Sequence, residues 1–442
     1  MPKIIKIMKY LLTLMSVLLM FAACNKDDDN KPNEPDFTKV KAKRAIMIYM
    51  AGENNMTVYS GFRALQEDIA EMVEGSKSLA DNQRVFLFVD SLCDNKEMKE
   101  TPYIAEVHGG KVYSRKTFDT DFYSCDPNRF KEVISWMTEN IEADGYGLVL
   151  WGHACGWLVS KDTIASNRAY GMDSGKDIGQ SKDLWMNITQ MAQALKGLPK
   201  MDFIFADCCN MMSAEVGYEL RNATDYLIGS PSEIPGPGAP YDLLIPSFFY
   251  NGSNLYRNII DTYYNYYTKA YNETTDGSLN YLKGYSLPMA VIETQYMEQL
   301  AQKTHEVIAT FATNYPEAVN VNGIPYYLHY DSPSMYDMKA VITKQAQAYD
   351  STVKSVYEPI YNDWLQAFKQ AVPYSRMSMR WMTIYYDQMY SYNFFDQNAD
   401  CGCVSMFVPQ NLSNYFSGDF QYNKTANHFG WNRIVDWSRY GW

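Results

Sequence analysis

The chain has 442 residues and a formal net charge of −12, from 51 acidic and 39 basic side chains. That balance excludes a surface built for nucleic acid, because a phosphate backbone is held by basic patches. Hydrophobic residues make up 47% of the chain, enough for a sizeable core, and the length suits one large α/β domain with appended structure.

The first residues read as a targeting segment. Lys3, Lys6 and Lys9 form a basic n-region, and Tyr10 to Phe21 form an apolar stretch too short to span a bilayer. It closes on Ala22-Ala23-Cys24, small residues directly before a cysteine. This pattern resembles a bacterial lipobox, in which Cys24 is lipidated and becomes the mature N-terminus of an exported lipoprotein at the outer membrane or cell surface. The alternative is an ordinary cleaved signal peptide with an incidental cysteine. Residues 1–23 are therefore read as leader. Residues 24–43, with Asp27-Asp28-Asp29, Pro32 and Pro35, are read as an acidic tether that buries no apolar area.

Apolar runs and helical periods then alternate. Ile46 to Met50 is a strand ended by Ala51-Gly52, and a helical stripe follows at Phe62, Leu65, Ile69, Met72 and Val73. Val85 to Val89 is a second strand, and residues 102–116 form a hairpin around Gly109-Gly110. Asp126-Pro127 opens a helix with Phe130, Val133, Ile134, Met137 and Ile141 on one face. Leu148 to Trp151 is a third strand, which delivers His153. A polar segment at about 158–183 precedes a helix at Ile188, Met191 and Leu195. Phe203 to Ala206 is a fourth strand, which delivers Asp207, Cys208 and Cys209, with a helix expected to open there. Tyr226 to Ile228 is a fifth strand, leading into a Pro/Gly loop at 231–240. The later chain adds strands near 285–293 and 402–408.

This alternation predicts a mostly parallel sheet sandwiched by helices. The catalytic unit is taken as residues 44–250, and 251–442 as a C-terminal α+β part that completes it or packs on it. Open sheets of this kind bind ligands beyond the carboxyl ends of their strands, where His153 and Cys209 both fall.

A thiol attacks as thiolate, so it needs a histidine or a helix N-terminus nearby. Of the eight cysteines, lipidation of Cys24 leaves an odd number, which allows one thiol for chemistry. An inert core cysteine and a hydrogen-bonded core histidine are the competing reading of the pair. There is no C-x-x-C pair and the histidines are scattered, so no metal site is expected. Cys401-Gly402-Cys403 reads as buried strand.

Several segments together resemble the clostripain-like cysteine peptidases, relatives of caspases, gingipains, legumains and separases. Leu148 to Trp157 is similar to the family's histidine block. Asp207-Cys208-Cys209-Asn210-Met211, with Glu215 six residues after Cys209, is similar to its nucleophile block. Ala45 to Met56, Ser230 to Tyr241 and Cys403 to Pro409 match further blocks in order. The resemblance implies a caspase-like fold and an endopeptidase with a His153/Cys209 dyad. It implies an oxyanion hole from the N–H groups of Ala154 and Cys209, and a carboxylate at Asp207 that receives a basic P1 side chain of a protein or peptide substrate. It implies no prosthetic cofactor and leaves calcium dependence open, since no acidic loop here has the ligand spacing of a calcium site. Family members often cut themselves between the two catalytic strands, where Lys161, Arg168, Lys176 and Lys182 lie.

Three positions depart from the family pattern. Ala154 stands where glycine is usual, Cys208 where alanine is usual, and Ala239 where a tryptophan is usual. Cys208 and Cys209 compete for the nucleophile; on one strand end they point opposite ways, and the motif selects Cys209. Ala154 and Ala239 favour an alternative, a catalytically degenerate lipoprotein used for binding. On the lipobox reading, palmitate labelling of the exported protein depends on Cys24. Cys24→Ser should abolish it and release the protein or leave the precursor uncut, whereas undiminished labelling of the variant would refute the lipobox.

Overall fold

The computed structural model describes residues 34–57, 63–92, 101–158, 169–180, 182–273, 275, 277, 283–314, 319–329, 332–348, 353–385, 388–392, 400–412 and 422–440. The leader, Cys24, Cys93, Lys161 and Arg168 lie outside the described residues. In chain order the strands are β1 (Arg44–Gly52), β2 (Gln83–Ser91), β3 (Tyr103–His108), β4 (Lys111–Thr117), β5 (Tyr146–Trp151), β6 (Tyr170–Asp173), β7 (Leu184–Met186), β8 (Met201–Asp207), β9 (Thr224–Gly229), β10 (Met289–Glu293), β11 (Tyr326–His329), β12 (Pro333–Asp337), β13 (Tyr374–Arg376), β14 (Trp381–Tyr385), β15 (Gln388–Tyr392) and β16 (Ser405–Met406).

Nine of them form one sheet in the order β13-β10-β9-β8-β5-β1-β2-β3-β4. The middle five strands pair in parallel. The β3–β4 hairpin closes one edge and β10 with β13 closes the other, all antiparallel. Because β10 and β13 come from the chain after residue 250, the later part of the chain completes the sheet.

The central strands are unbroken apolar runs because both faces are covered. Met47 and Tyr49 of β1 point into one layer, Ile46, Ile48 and Met50 into the other, and all are fully buried. The helices Pro127–Asn140, Ile188–Leu195, Ala214–Glu219 and Met297–Asn314 cover the first face. The helices Ala64–Gly75, Tyr241–Leu244 and Ser253–Asn272 cover the second. Asp126 caps its helix as expected, its carboxylate accepting from the Asn128 N–H at 2.7 Å.

Three expectations need correction. Cys209 does not open a helix: the helix begins at Ala214, with the Ser213 hydroxyl accepting from the Val216 N–H at 3.1 Å. Residues 208–212 instead form a turn whose N–H groups are tied to the next strand's exit, Asn210 N to Ser232 O (3.0 Å) and Met212 N to Ser230 O (3.1 Å). The late apolar run at 402–408 is a strand only at Ser405–Met406. Gly402 and Cys403 turn around the buried Asp337 instead, donating their N–H groups to its carboxylate at 3.0–3.1 Å. The other late strand is shorter than expected, Met289–Glu293.

The β5–β8 pairing sets the geometry of the sheet edge that carries His153 and Cys209. Trp151 lies opposite Asp207, so the loops carrying His153 and Cys209 leave the sheet side by side at the same level. Glycines let these loops turn and touch. Gly152 has φ +139°, and Gly156 has φ +59°, where an added Cβ would stand 2.3 Å from the Asn210 carbonyl oxygen. Gly156→Ala should therefore cost about 1–2 kcal/mol for backbone conformation alone, with more from displacing the Asn210 turn. An unchanged urea midpoint for this variant would contradict the close approach of the two loops.

Candidate active site

His153 is partly buried on the β5 exit loop. Its Nε2 lies 2.6 Å from Asn55 Oδ1, an oxygen that only accepts. Nε2 therefore carries the ring proton, and the Nδ1 lone pair is left to act as a base. Its carbonyl accepts from the Gly171 N–H at 2.9 Å, which stitches the loop to β6. Asn55 lies in the Ala45–Met56 block, but nothing in the local pattern marks which of that block's polar side chains reaches the histidine.

Ala154 faces Tyr170 in an isolated antiparallel bridge. The bonds flanking it run from Cys155 N to Ala169 O and from Gly171 N to His153 O, so the Ala154 N–H is in the non-bonded position of the ladder. It remains available to a developing oxyanion. Ala154 is not among the described residues with positive φ, so alanine replaces glycine here without strain.

The two adjacent cysteines differ sharply. Cys208 is fully buried in the layer beneath the helices of the first face, and burial pushes its thiol well above the ordinary range. Cys209 is partly exposed on the turn. Burial, then the nearby Glu233 carboxylate, raises its thiol above the ordinary 9.0. Burial also lowers His153 below 6.5. Both shifts oppose charge separation, so the resting pair is neutral thiol and neutral imidazole.

Asp207 is buried on the second face. Its carboxylate accepts from the Ala239 N–H (3.1 Å), the Tyr241 hydroxyl (2.8 Å) and the Tyr263 hydroxyl (2.9 Å). Burial raises its pKa, against those three bonds. Ala239 uses its N–H, not its side chain, in this arrangement. A second acid, which no sequence motif marks, lies near the thiol. Glu233 is 5% exposed, its Oε2 has no hydrogen-bond partner, and burial pushes it up to about 8. The Tyr285 hydroxyl, likewise buried without a partner, feels the charges of Cys209 and Glu233. Cys209, Glu233 and Tyr285 thus lie within electrostatic range of one another. Glu215, the motif glutamate, is structural. Its Oε1 accepts from the Phe407 N–H (2.9 Å) and the Asn432 side chain (3.4 Å), tying the C-terminal segments to the core.

A sequence profile described as the Clostripain family matches residues 48–441. The chain belongs to the clostripain family of cysteine peptidases. Clostripain of Hathewaya histolytica is 27% identical over 224 residues, 45% of this chain; the match spans 41% of that relative's length. A secreted C11 cysteine protease from Bacteroides thetaiotaomicron, solved with an irreversible peptide inhibitor, superposes with a TM-score of 0.70 at 26% identity. It covers 90% of this chain and 99% of its own. An inactive zymogen C11 protease from Parabacteroides distasonis shares the fold, with a TM-score of 0.67 at 21% identity over 90% of this chain and 99% of its own. Membership of a peptidase family does not favour the reading as a non-catalytic binding module.

The neutral resting pair has a measurable consequence. Alkylation of Cys209 by iodoacetamide in substrate-free protein should keep rising with pH through 9.0, the ordinary cysteine value, because the thiol stays protonated below that range. A rate that is flat from acid to neutral pH would instead reveal a preformed thiolate–imidazolium pair.

Proposed function

We propose that this chain is a lipid-anchored cysteine endopeptidase that cuts peptide bonds after arginine or lysine through a thioester on Cys209. The observation that carries the dyad is the β5–β8 register, which brings the His153 and Cys209 loops out together at one sheet edge. His153 Nδ1 takes the Cys209 proton as Sγ attacks the scissile carbonyl. The N–H groups of Cys209 and Ala154 receive the oxyanion. The C–N bond breaks, His153 hands its proton to the leaving amine, and water then hydrolyses the thioester with His153 again as base. Peptide substrates are supported by the relative solved with a peptide inhibitor. Lipidation at Cys24 places the enzyme at the outer membrane or cell surface. Lys176 and Lys182, both exposed between the catalytic strands, are sites for self-cleavage.

The basic P1 preference rests on two carboxylates near the thiol. Asp207 lies beneath the site with three fixed donors, and Glu233 offers an oxygen with no partner. A guanidinium entering a partly dry pocket loses hydration and needs a hydrogen-bonded opposite charge to offset it. Arginine can bond bidentately, so it should exceed lysine.

The test is kcat/KM on matched peptides differing only at P1. Leaving a buried cation unpaired costs about 3–5 kcal/mol, so Asp207→Asn and Glu233→Gln should each lower arginyl kcat/KM by roughly two to three orders of magnitude. Alkylation of Cys209 should survive both changes. Equal wild-type rates on arginyl and apolar peptides would sink the P1 assignment, and undiminished arginine preference in both variants would remove these acids from it.

A further inference from the structure

Asn210 follows the proposed nucleophile and has no part in the peptidase chemistry described above. Its backbone is left-handed, with φ +59°. A side chain with a Cβ meets a steric cost in that conformation, and asparagine tolerates it best because its short amide can bond nearby backbone. An asparagine that merely serves a turn bonds within a few residues of itself. Asn210 instead is 1% exposed, and its Nδ2 donates to the Pro231 carbonyl at 2.9 Å and the Tyr327 carbonyl at 3.5 Å. Both acceptors are carbonyl oxygens, which fixes the amide nitrogen on that side. They lie 21 and 117 residues further along the chain.

The other polar atoms of Asn210 are held as well. Its N–H donates to the Ser232 carbonyl at 3.0 Å. Its carbonyl oxygen lies against Gly156 of the histidine loop, where an added Cβ would stand 2.3 Å away. The Asn210 N–H and the Cys209 carbonyl share one peptide plane, so fixing the first fixes the backbone that aims the Cys209 side chain. Two residues on, the C-terminal part grips the same turn, the Ser405 N–H donating to the Met212 carbonyl at 3.0 Å. Tyr327 is held in turn, its hydroxyl donating to the buried Asp337 carboxylate at 2.7 Å. That carboxylate also gathers the N–H groups of Ala340, Gly402 and Cys403. Contacts running from Asp337 through Tyr327 to Asn210 therefore join β11 and β12 to the residue beside the thiol.

We propose that Asn210 is a positioning residue for the His153/Cys209 dyad, locking the nucleophile turn between the exit of β9 and the C-terminal strand β11. This rests on the peptidase reading above. Glycine would supply the left-handed backbone without strain but would reach neither carbonyl, whereas asparagine does both. The lock matters because attack needs the sulfur aligned on the scissile carbonyl at about 3–3.5 Å, and residues 208–212 form a turn outside any helix or strand. On a looser turn the thiol keeps its reactivity toward a small, freely diffusing reagent and loses its alignment on the carbonyl of a bound substrate.

The test compares full-chain wild type with Asn210→Gly by steady-state cleavage of an arginyl peptide, alkylation of Cys209 by iodoacetamide, and melting. kcat should fall by roughly ten- to a hundredfold, with KM and the alkylation rate each within about twofold of wild type and melting lowered by only a few degrees. Asn210→Ala adds the strain of a left-handed alanine and should lose at least as much turnover. If Asn210→Gly does not fold, Tyr327→Phe carries the comparison, since it frees β11 from Asp337 without altering the turn. Its kcat should fall several-fold at unchanged KM, and an unchanged kcat there overturns the assignment. Undiminished kcat in Asn210→Gly overturns it too, as does a parallel loss of kcat and alkylation, which reports a damaged thiol and not a misaligned one. A wild type that cuts no peptide overturns the peptidase reading and this assignment with it. Wild-type turnover that is lost in Cys209→Ala leaves that reading standing whatever Asn210→Gly does.

Discussion

Everything at the sheet edge that carries His153 and Cys209 depends on the parallel pairing of β5 with β8. The register fixes Trp151 opposite Asp207, so the residues two places beyond each, His153 and Cys209, leave the sheet together. The sheet interior makes that register hard to alter. Leu148, Val149 and Leu150 are fully buried among residues of both helical layers, and a one-residue slip would exchange the faces of every side chain. The loops beyond are then held by contacts that tolerate little change: Gly156 against the Asn210 carbonyl, the Asn210 and Met212 N–H groups on the neighbouring strand's exit, and Gly171 on the His153 carbonyl.

The same edge concentrates buried acid. Asp68 and Asp207 lie together on the second face, where the Trp151 indole donates to Asp68 at 2.5 Å and an added Cβ on Gly238 would meet both carboxylates. Burial, then Asp207, raises Asp68 well above the usual carboxylate range. Glu233 stands near the thiol, and Glu53, Asp90 and Asp173 stand on the other face. Asp68, Asp207 and Asp173 have defined neutral donors around them, whereas Glu233, Glu53 and Asp90 each keep an unsatisfied oxygen. Carboxylates held this way are expensive without a cation. The proposed P1 guanidinium is one answer to that electrostatic demand.

Much of the sheet is legible from local pattern. The runs at Ile46–Met50, Val85–Val89, Leu148–Trp151, Phe203–Ala206 and Tyr226–Ile228 fall inside β1, β2, β5, β8 and β9, because strands buried on both faces read as continuous apolar segments. The helix after Asp126 is legible because capping is local. The turn after β8 is not, because helix propensity from Met211 onward loses to hydrogen bonds reaching Ser230 and Ser232 across the sheet. The run at 402–408 departs from a strand for a similar reason, since the Asp337 carboxylate draws its N–H groups away from strand pairing. Glu233 and the acids around Glu53 leave no trace in the sequence pattern, because their significance lies in buried oxygens that find no donor. The latter come from four separate segments of the chain with no common spacing.

The proposed chemistry turns on Cys209, and not the neighbouring Cys208, attacking the scissile carbonyl after a basic residue. Mass spectrometry of peptides from protein inactivated with an arginyl acyloxymethyl ketone, which alkylates the attacking thiol, reads this out at the residue itself. A single adduct on Cys209 is expected, with Cys208 unmodified in its buried layer, and labelling should be lost in His153→Ala. An adduct on Cys208, or labelling indifferent to His153, would contradict the assignment.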